Sequence, residues 1–318
     1  MFINSDNTLV IVTGSSGYVA SNLVPRLRAK ANTCGVDIFF SEHTDIQVSI
    51  ESTEFRDCLG RFNDKEIVII NLAAARFDFG ATAKDYYRLN VACHTKFLDS
   101  LSNHNVKKFV HVSSVAAFDG RSIPYSQDLN CDDAYRSTKY LQESLIQEWC
   151  NDRDIELLIL YPSAIFSEDP RSDTNIGKLQ SISKVIPFIP VIDVAKSLTY
   201  LPNFSRFIIE AVVNKIPAGK YLTIETPSLT VSRIIQIISG RPIRLIRIPY
   251  LQFVMKSIAN CLHVLGFFGR IDLKLTPNRV VKLFSDTSYN DLDDKDVDVG
   301  TYTDHNKHQL IDVLKKFN

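Results

Sequence analysis

Tyr135 and Lys139 stand four apart in the run AYRSTKYLQES, so on a helix the phenol and the ammonium share one face. A free tyrosine titrates near ~10 and is a poor base at neutral pH, but a nearby cation favours phenolate and lowers that value. The pair therefore suits proton abstraction from an alcohol. By itself the spacing equally describes two polar residues on the outside of an ordinary helix.

A second chemical signal lies near the start, in LVIVTGSSGYVASNLV. Gly14 allows a tight turn, Gly17 lets the backbone approach a pyrophosphate, and Ala20 is small enough for a helix to pack on a sheet. The helix N-terminus, with Tyr18 and Val19, then faces the phosphates. Such a turn can also be purely structural, and Pro25 inside the helix predicts a local distortion. Asp37, 23 residues beyond Gly14, closes the next strand. An acidic side chain there accepts hydrogen bonds from the adenosine ribose and repels a 2′-phosphate, which favours NAD over NADP.

The elements that must hold these residues follow from periodicity. Strands are expected at LVIVT (9–13), TCGVDIFF (33–40), IVIINLA (67–73), KKFVHVSS (107–114) and IELLILYP (155–162), with helical spacing between them and a helix over 134–150 behind Asp132 and Asp133. Val- and Ile-rich strands, each followed by a helix-length connection, imply an α/β fold with a doubly wound parallel sheet. After Pro162 the rhythm breaks, so residues 1–165 form the first domain, with part of 186–215 returning to it, and 166–318 form mainly a smaller α/β lobe. There, VIDVAKSLTYL reads as a helix, and GKYLTIETPSLTVSRIIQIIS as a strand, a turn and a helix.

Composition excludes several classes. The 36 Lys and Arg balance 36 Asp and Glu, leaving no basic stripe for nucleic acid. Six cysteines without a C-x-x-C pair fit isolated thiols in a reducing compartment. With no signal-peptide pattern at the start, the chain reads as cytoplasmic. Residues 243–269 are apolar but interrupted by Arg244, Arg247, Lys256 and His263, so a buried helix or a contact between lobes is expected, not a membrane span. Interfacial membrane attachment is possible but not favoured. DLDDKDVDVG (291–300) misses the Gly and Glu of a calcium loop, His305 and His308 read as a polar tail, and no metal is expected.

Taken in chain order, the glycine turn, Asp37, NLAAA, Asn90, the serine pair of HVSS and YRSTK resemble the extended short-chain dehydrogenase/reductases, particularly the NAD-dependent nucleotide-sugar epimerase, dehydratase and reductase branch. The likeness covers residues 8–165, and the remainder loosely through VIDVAKSL and TPNRVVKLF. It implies a Rossmann domain with a C-terminal substrate-binding lobe. Tyr135 matches the catalytic base and Lys139 its partner, which also holds the nicotinamide ribose. Ser114 matches the catalytic serine, with Ser113 as rival and a structural role at the strand end as a further reading. Asp45 and Ile46 resemble the pair near the adenine, and Leu72, Ala73 and Ala74 the segment beside phosphates and ribose. Asn90 matches an asparagine that supports an active-site water, Pro162 and Ser163 border the nicotinamide, and Arg279 is the candidate for the nucleotide diphosphate. The chain departs from the family at Tyr161, where Arg often precedes the proline, and at Asn71, where His is frequent.

The implied chemistry is removal of a sugar hydroxyl proton by Tyr135 as hydride leaves the same carbon for NAD, with Ser114 on the oxygen. A 4,6-dehydratase would carry an Asp-Glu pair where Val115 and Ala116 stand, so elimination is disfavoured. A UDP-sugar 4-epimerase is the leading expectation, and a 4-keto nucleotide-sugar reductase the alternative. A hydroxysteroid-type dehydrogenase and a non-catalytic NAD-binding sensor remain further readings. A homodimer is expected by the same likeness, with Trp149 and Leu145 available to it.

Overall fold

The computed structural model describes residues 7–75, 81–167, 174–185, 187–213, 216–239, 243–269, 277–289 and 297–298. In chain order the first elements are β1 (Thr8–Thr13), α1 (Tyr18–Arg28), β2 (Thr33–Asp37), β3 (Ile46–Gln47), α2 (Thr53–Leu59), β4 (Glu66–Asn71), α3 (Ala83–Tyr87) and α4 (Cys93–Leu101). Then come β5 (Asn105–Val112), α5 (Ala116–Gly120), α6 (Cys131–Asn151), β6 (Glu156–Pro162), β7 (Ala164–Phe166), α7 (Asn175–Val185), β8 (Phe188–Pro190) and β9 (Ala195–Tyr200). The last are α8 (Leu201–Val212), β10 (Gly219–Thr223), β11 (Glu225–Thr230), α9 (Val231–Ile238), β12 (Arg244–Ile246), α10 (Leu251–Gly269), α11 (Pro277–Phe284) and β13 (Val297–Asp298). Two compact units divide the chain: residues 1–165, 199–224 and 294–302, and residues 166–198, 225–293 and 303–318.

The first unit holds a parallel sheet in the order β13-β10-β6-β5-β4-β1-β2-β3. Its central strands β1, β4 and β6 are largely apolar because both faces are covered. Side chains alternate between two cores. Val10, Val12, Val68, Ile70, Val110, Leu158 and Leu160 pack with Leu23 and Val24 of α1 and Phe204 and Ile208 of α8. Leu9, Ile11, Ile67, Ile69 and Phe109 pack with Phe55 of α2, Phe97 of α4 and Ile146 of α6. The order reverses between β1 and β4, which opens a crevice at the carboxyl ends of these strands, where ligands bind in such sheets. Register levels those ends: Thr13 lies opposite Val36 and Asn71, and Asn71 opposite His111.

Four expectations are corrected by the fold. The segment expected as a helix over 191–201 contains the strand β9, paired antiparallel with β11. Its apolar spacing suits a helix, but Ser197 exchanges a hydroxyl hydrogen bond with Ser228 at 2.9 Å, and cross-strand pairing overrides local pattern. The turn expected before α9 is β11 itself, whose register shifts between Glu225 and Leu229 around Pro227, a bulge that reads locally as a turn. Trp149, read as available to a dimer contact, is 8% exposed and belongs to the core beside Leu145, with the Arg153 guanidinium 4.8 Å over its ring. Within 243–269, α10 buries Ala259 but exposes Phe253, Val254 and Ile258, so its first half is no buried helix. Among the described residues no helix is long and apolar enough to cross a membrane.

Helix α1 runs through Pro25 unbroken to Arg28. Most of 291–300, and His305 and His308, lie outside the described residues, while Val297 and Asp298 add β13 beside β10.

Candidate active site

The crevice begins with the turn after β1. Gly14 has φ +74°, and a Cβ there would sit 3.0 Å from backbone atoms of Leu72 and Ala73. Only glycine combines that conformation with so close an approach of the β4 exit. Gly17 donates its N–H to the Gly14 carbonyl at 3.1 Å and stands at the N-cap of α1 without a side chain to fill the space before the helix. Ala20 is fully buried. The Asp37 carboxylate closes the turn, accepting from Ser16 N at 3.0 Å and Phe39 N at 3.0 Å. An open backbone cradle, a helix N-terminus and a carboxylate at the end of β2 together fit a dinucleotide without a 2′-phosphate.

Next to it, Gly35 is closely packed: a Cβ would lie 1.9 Å from the His43 carbonyl. Asp45 Oδ2 accepts from Gly35 N at 2.7 Å and from Arg28 Nη2 at 2.7 Å, which pins the loop that precedes Ile46. Tyr18 and Val19 lie half-buried in the first turn of α1. On the β4 side, Leu72 N bonds Thr13 O at 3.2 Å and Ala73 N bonds Thr13 Oγ1 at 3.3 Å, while Ala74 is exposed. Asn71 is consumed in the interior, accepting from Thr13 Oγ1 at 2.6 Å and meeting His111 Nδ1 at 3.2 Å.

Helix α6 supplies the opposite wall. Asn130 caps it, accepting from Asp132 N and Asp133 N at 3.0 Å each, and those two acids favour its N-terminus. Gly120 of α5 lets the two helices touch, since a Cβ there would come within 2.1 Å of Arg136 O. Tyr135 is half-buried, with the Tyr86 ring edge-on at 6.0 Å. Asn90 sits fully buried in a π-helical turn, Arg88–Ala92. It accepts from Ala75 N at 2.7 Å and donates to Thr138 Oγ1 at 3.2 Å. One amide thereby ties the β4 exit to α6, and a π-turn is a frequent device for aiming such a residue.

Lys139 is 1% exposed. Its ammonium donates to Gln142 Oε1 at 2.6 Å and to Val112 O at 3.3 Å. Burial pulls its pKa down from the ordinary lysine range to about 7, opposed by the negative Glu143. The Gln142 amide N–H groups face Ala73 O at 3.2 Å and His94 Nε2 at 2.8 Å. His94 Nδ1 lies 3.2 Å from Leu89 O, so its Nδ1–H donates there and Nε2 accepts from Gln142. Burial and Lys139 hold His94 neutral, with a pKa of about 3. Burial, Lys139 and His94 likewise push His111 well below its ordinary value. Gln142, His94 and Thr138 were not expected from the sequence. The available signal was Gln142 three residues beyond Lys139 and His94 four beyond Asn90, shared helix faces pointing at one place.

The two serines differ sharply. Ser113 is buried, and its hydroxyl donates to Glu143 Oε2 at 3.1 Å. Glu143 also accepts from Tyr161 OH at 2.6 Å and pairs with Lys220 at 3.4 Å. Tyr161, where the family often has Arg, is therefore an interior residue. Ser114 is half-buried, its Oγ accepting only a local bond from Ala116 N at 3.2 Å. Pro162 accepts from Val115 N at 3.2 Å, which keeps it beside the β5 exit, and Ser163 N donates to Thr199 Oγ1 of β9 at 2.9 Å.

A separate groove of about 470 Å³ runs along α6, lined by Tyr140, Ser144, Gln147, Asn151, Arg121 and Lys220 among others. It contains neither Ser114 nor Tyr135. Among the described residues no group of His, Cys, Asp and Glu could hold a metal ion. Arg279 falls in α11, and its side chain lies outside the described residues.

A family model described as the NAD dependent epimerase/dehydratase family matches residues 10–189. A curated UDP-glucose 4-epimerase of Dictyostelium discoideum is 25% identical over 239 residues, covering 59% of this chain and 69% of that relative. The UDP-glucuronic acid 4-epimerase of Bacillus cereus, solved in complex with NAD, superposes with a TM-score of 0.61 at 19% identity, over 76% of this chain and 86% of that one. The UDP-N-acetylglucosamine 4-epimerase of Methanobrevibacter ruminantium M1, in complex with UDP-N-acetylmuramic acid, reaches 0.65 at 17% identity over 98% and 97%. At these identities the two structures speak to the fold.

Proposed function

The chain belongs to the NAD dependent epimerase/dehydratase family, and from that premise we propose that it inverts the 4-hydroxyl of a nucleotide-activated sugar, with a UDP-sugar as substrate class. Both the curated relative and the solved structures named above are UDP-sugar 4-epimerases. Gly14, Gly17, Tyr18 and Val19 would hold the pyrophosphate, Asp37 the adenosine ribose, and Asp45 and Ile46 the adenine side. Leu72, Ala73, Ala74 and Asn90 would line the middle, with Lys139, Pro162 and Ser163 at the nicotinamide. When bound, NAD supplies a hydride acceptor that can return the hydride.

The chain's own residues do the proton chemistry. Tyr135, as phenolate, takes the proton of the 4-hydroxyl and returns it after the keto-sugar has turned over. Ser114 donates a hydrogen bond to that oxygen, which steadies the carbonyl as it forms. Lys139, held by Gln142 and Val112 one turn on from Tyr135, would hold the nicotinamide ribose. The observation that carries the reading is the pair on α6, a half-buried tyrosine with a caged lysine one turn on; the Ser114 hydroxyl makes only one local bond.

The second unit would read the sugar and nucleotide, with Arg279 on the diphosphate. Isolated thiols support a cytoplasmic enzyme, and a homodimer is the assembly we expect. To test the proposal, the purified protein is denatured and the released dinucleotide quantified. Near-stoichiometric NAD supports a recycling epimerase. NADH that binds but is not retained supports the 4-keto reductase instead, and a chain that neither carries nor takes up dinucleotide overturns the proposal.

A further inference from the structure

We propose that the second unit docks on an anionic lipid surface through the link from β12 into α10 and the outer face of the first turns of α10. The face is apolar where it should be polar. Tyr250 is 84% exposed and Phe253 72%, and Leu245, Ile248, Val254 and Ile258 are all more than a third exposed. Val254 and Ile258 are four residues apart and share one side of the helix, Phe253 stands on the side next to it, and Leu251 and Ala259 pack inward. Tyr250 adopts φ +55° just before the helix. A bulky residue rarely takes that conformation, and here it starts the helix, with Val254 N bonded to Tyr250 O at 3.0 Å. A cluster of exposed large apolar side chains on adjoining elements marks an interaction surface.

Charge says what that surface meets. No Asp or Glu occurs between Glu225 and Asp272, a span that contains Arg233, Arg241, Arg244, Arg247, Lys256 and Arg270. The chain as a whole balances its charges, so the imbalance is local. Arg244 and Lys256 are exposed beside the apolar residues. Arg247 has Asp193 at 3.6 Å, but both side chains are largely in water, where such a pair is weak. Exposed aromatic and aliphatic side chains in a segment that carries cations and no acids are what a helix lying in an anionic headgroup layer presents. A second copy of this chain fits worse, because a two-fold contact would set these cations against themselves. With no helix among the described residues able to span, the proposed contact is one of lying on the surface.

The test is co-sedimentation of the full chain with vesicles of phosphatidylcholine alone, or of phosphatidylcholine mixed with phosphatidylglycerol. We expect binding to the mixed vesicles roughly tenfold above the neutral ones, falling as salt is raised. The pair Phe253→Ser with Ile258→Ser should abolish it, and so should Arg244→Glu with Lys256→Glu, each with unchanged bound dinucleotide and thermal melt. The second pair alters only exposed residues, so it decides the matter if the first fails to fold. Equal or absent binding to both vesicles, or binding retained in a folded variant, overturns the proposal. A wild-type dimer that the serine pair turns into a monomer, with no vesicle binding, would assign the face to a second copy instead.

Discussion

Lys139 is the side chain whose surroundings explain most. Its ammonium meets Gln142 and Val112, with Glu143, His94 and His111 as the charged or titratable groups acting around it. An acceptor on the ammonium favours the charged form, so Gln142→Met, which keeps the bulk and removes the acceptor, should lower the Lys139 pKa further below about 7. We expect the alkaline limb of the pH–rate profile to move to lower pH and kcat to fall roughly 10- to 100-fold, with stability lower by about 1–3 kcal/mol because Ala73 O and His94 Nε2 lose their donor. A profile that stays in place would reduce Gln142 to packing. His94 gives a stability prediction. Its folded value of about 3 lies below the ordinary 6.5, so the folded state binds fewer protons between those values. Stability is then fully present above pH 6.5 and lost as pH falls toward 3, by about 1.4 kcal/mol per unit for one such group. Denaturant midpoints at pH 7.5 and pH 5 should therefore diverge more in the wild type than in His94→Leu. The Tyr135–Lys139 spacing was legible because four residues make one helical turn. Gln142 and His94 are 48 residues apart in sequence, and their meeting depends on how α4 and α6 pack, which no local pattern encodes.

Among the elements, the close approaches decide which glycines can change. Gly35→Ala would set a Cβ 1.9 Å from His43 O, so strand β2 or the 38–45 loop must move; we expect a loss of at least about 3 kcal/mol together with weaker dinucleotide retention. Gly60→Ala, with nothing within 4 Å of the added atom and φ −55°, should be neutral or stabilise by up to about 1 kcal/mol; calorimetry of both variants checks the contrast. Asn90→Ala should loosen the Ala75 tether and leave Thr138 without its donor, at about 1–3 kcal/mol. Strands β1, β4 and β6, built mostly of Val, Ile and Leu, were readable because burial on both faces leaves an almost continuous apolar run. Strand β9 was not. Its partner β11 is distant in sequence, and its Ser and Thr hydroxyls bond across strands, a reward invisible to a reading of nearest neighbours.

For the whole molecule, strand order and the β1–β4 reversal make one crevice at the carboxyl ends of the sheet, and every residue assigned to the dinucleotide comes from the unit that builds it. That much followed from sequence, since strand and helix alternated through Pro162. The second unit was less legible because its strands are short and its pairings depend on context, and no spacing within it names a sugar. The most direct measurement is incubation of the wild type and Tyr135→Phe with UDP-glucose and no added dinucleotide, followed by chromatography of the nucleotide sugars and of the dinucleotide released on denaturation. The account predicts UDP-galactose from the wild type, a rate lower by roughly 10²- to 10⁴-fold in the variant, and equal NAD in both. Wild type and variant turning over alike would contradict it.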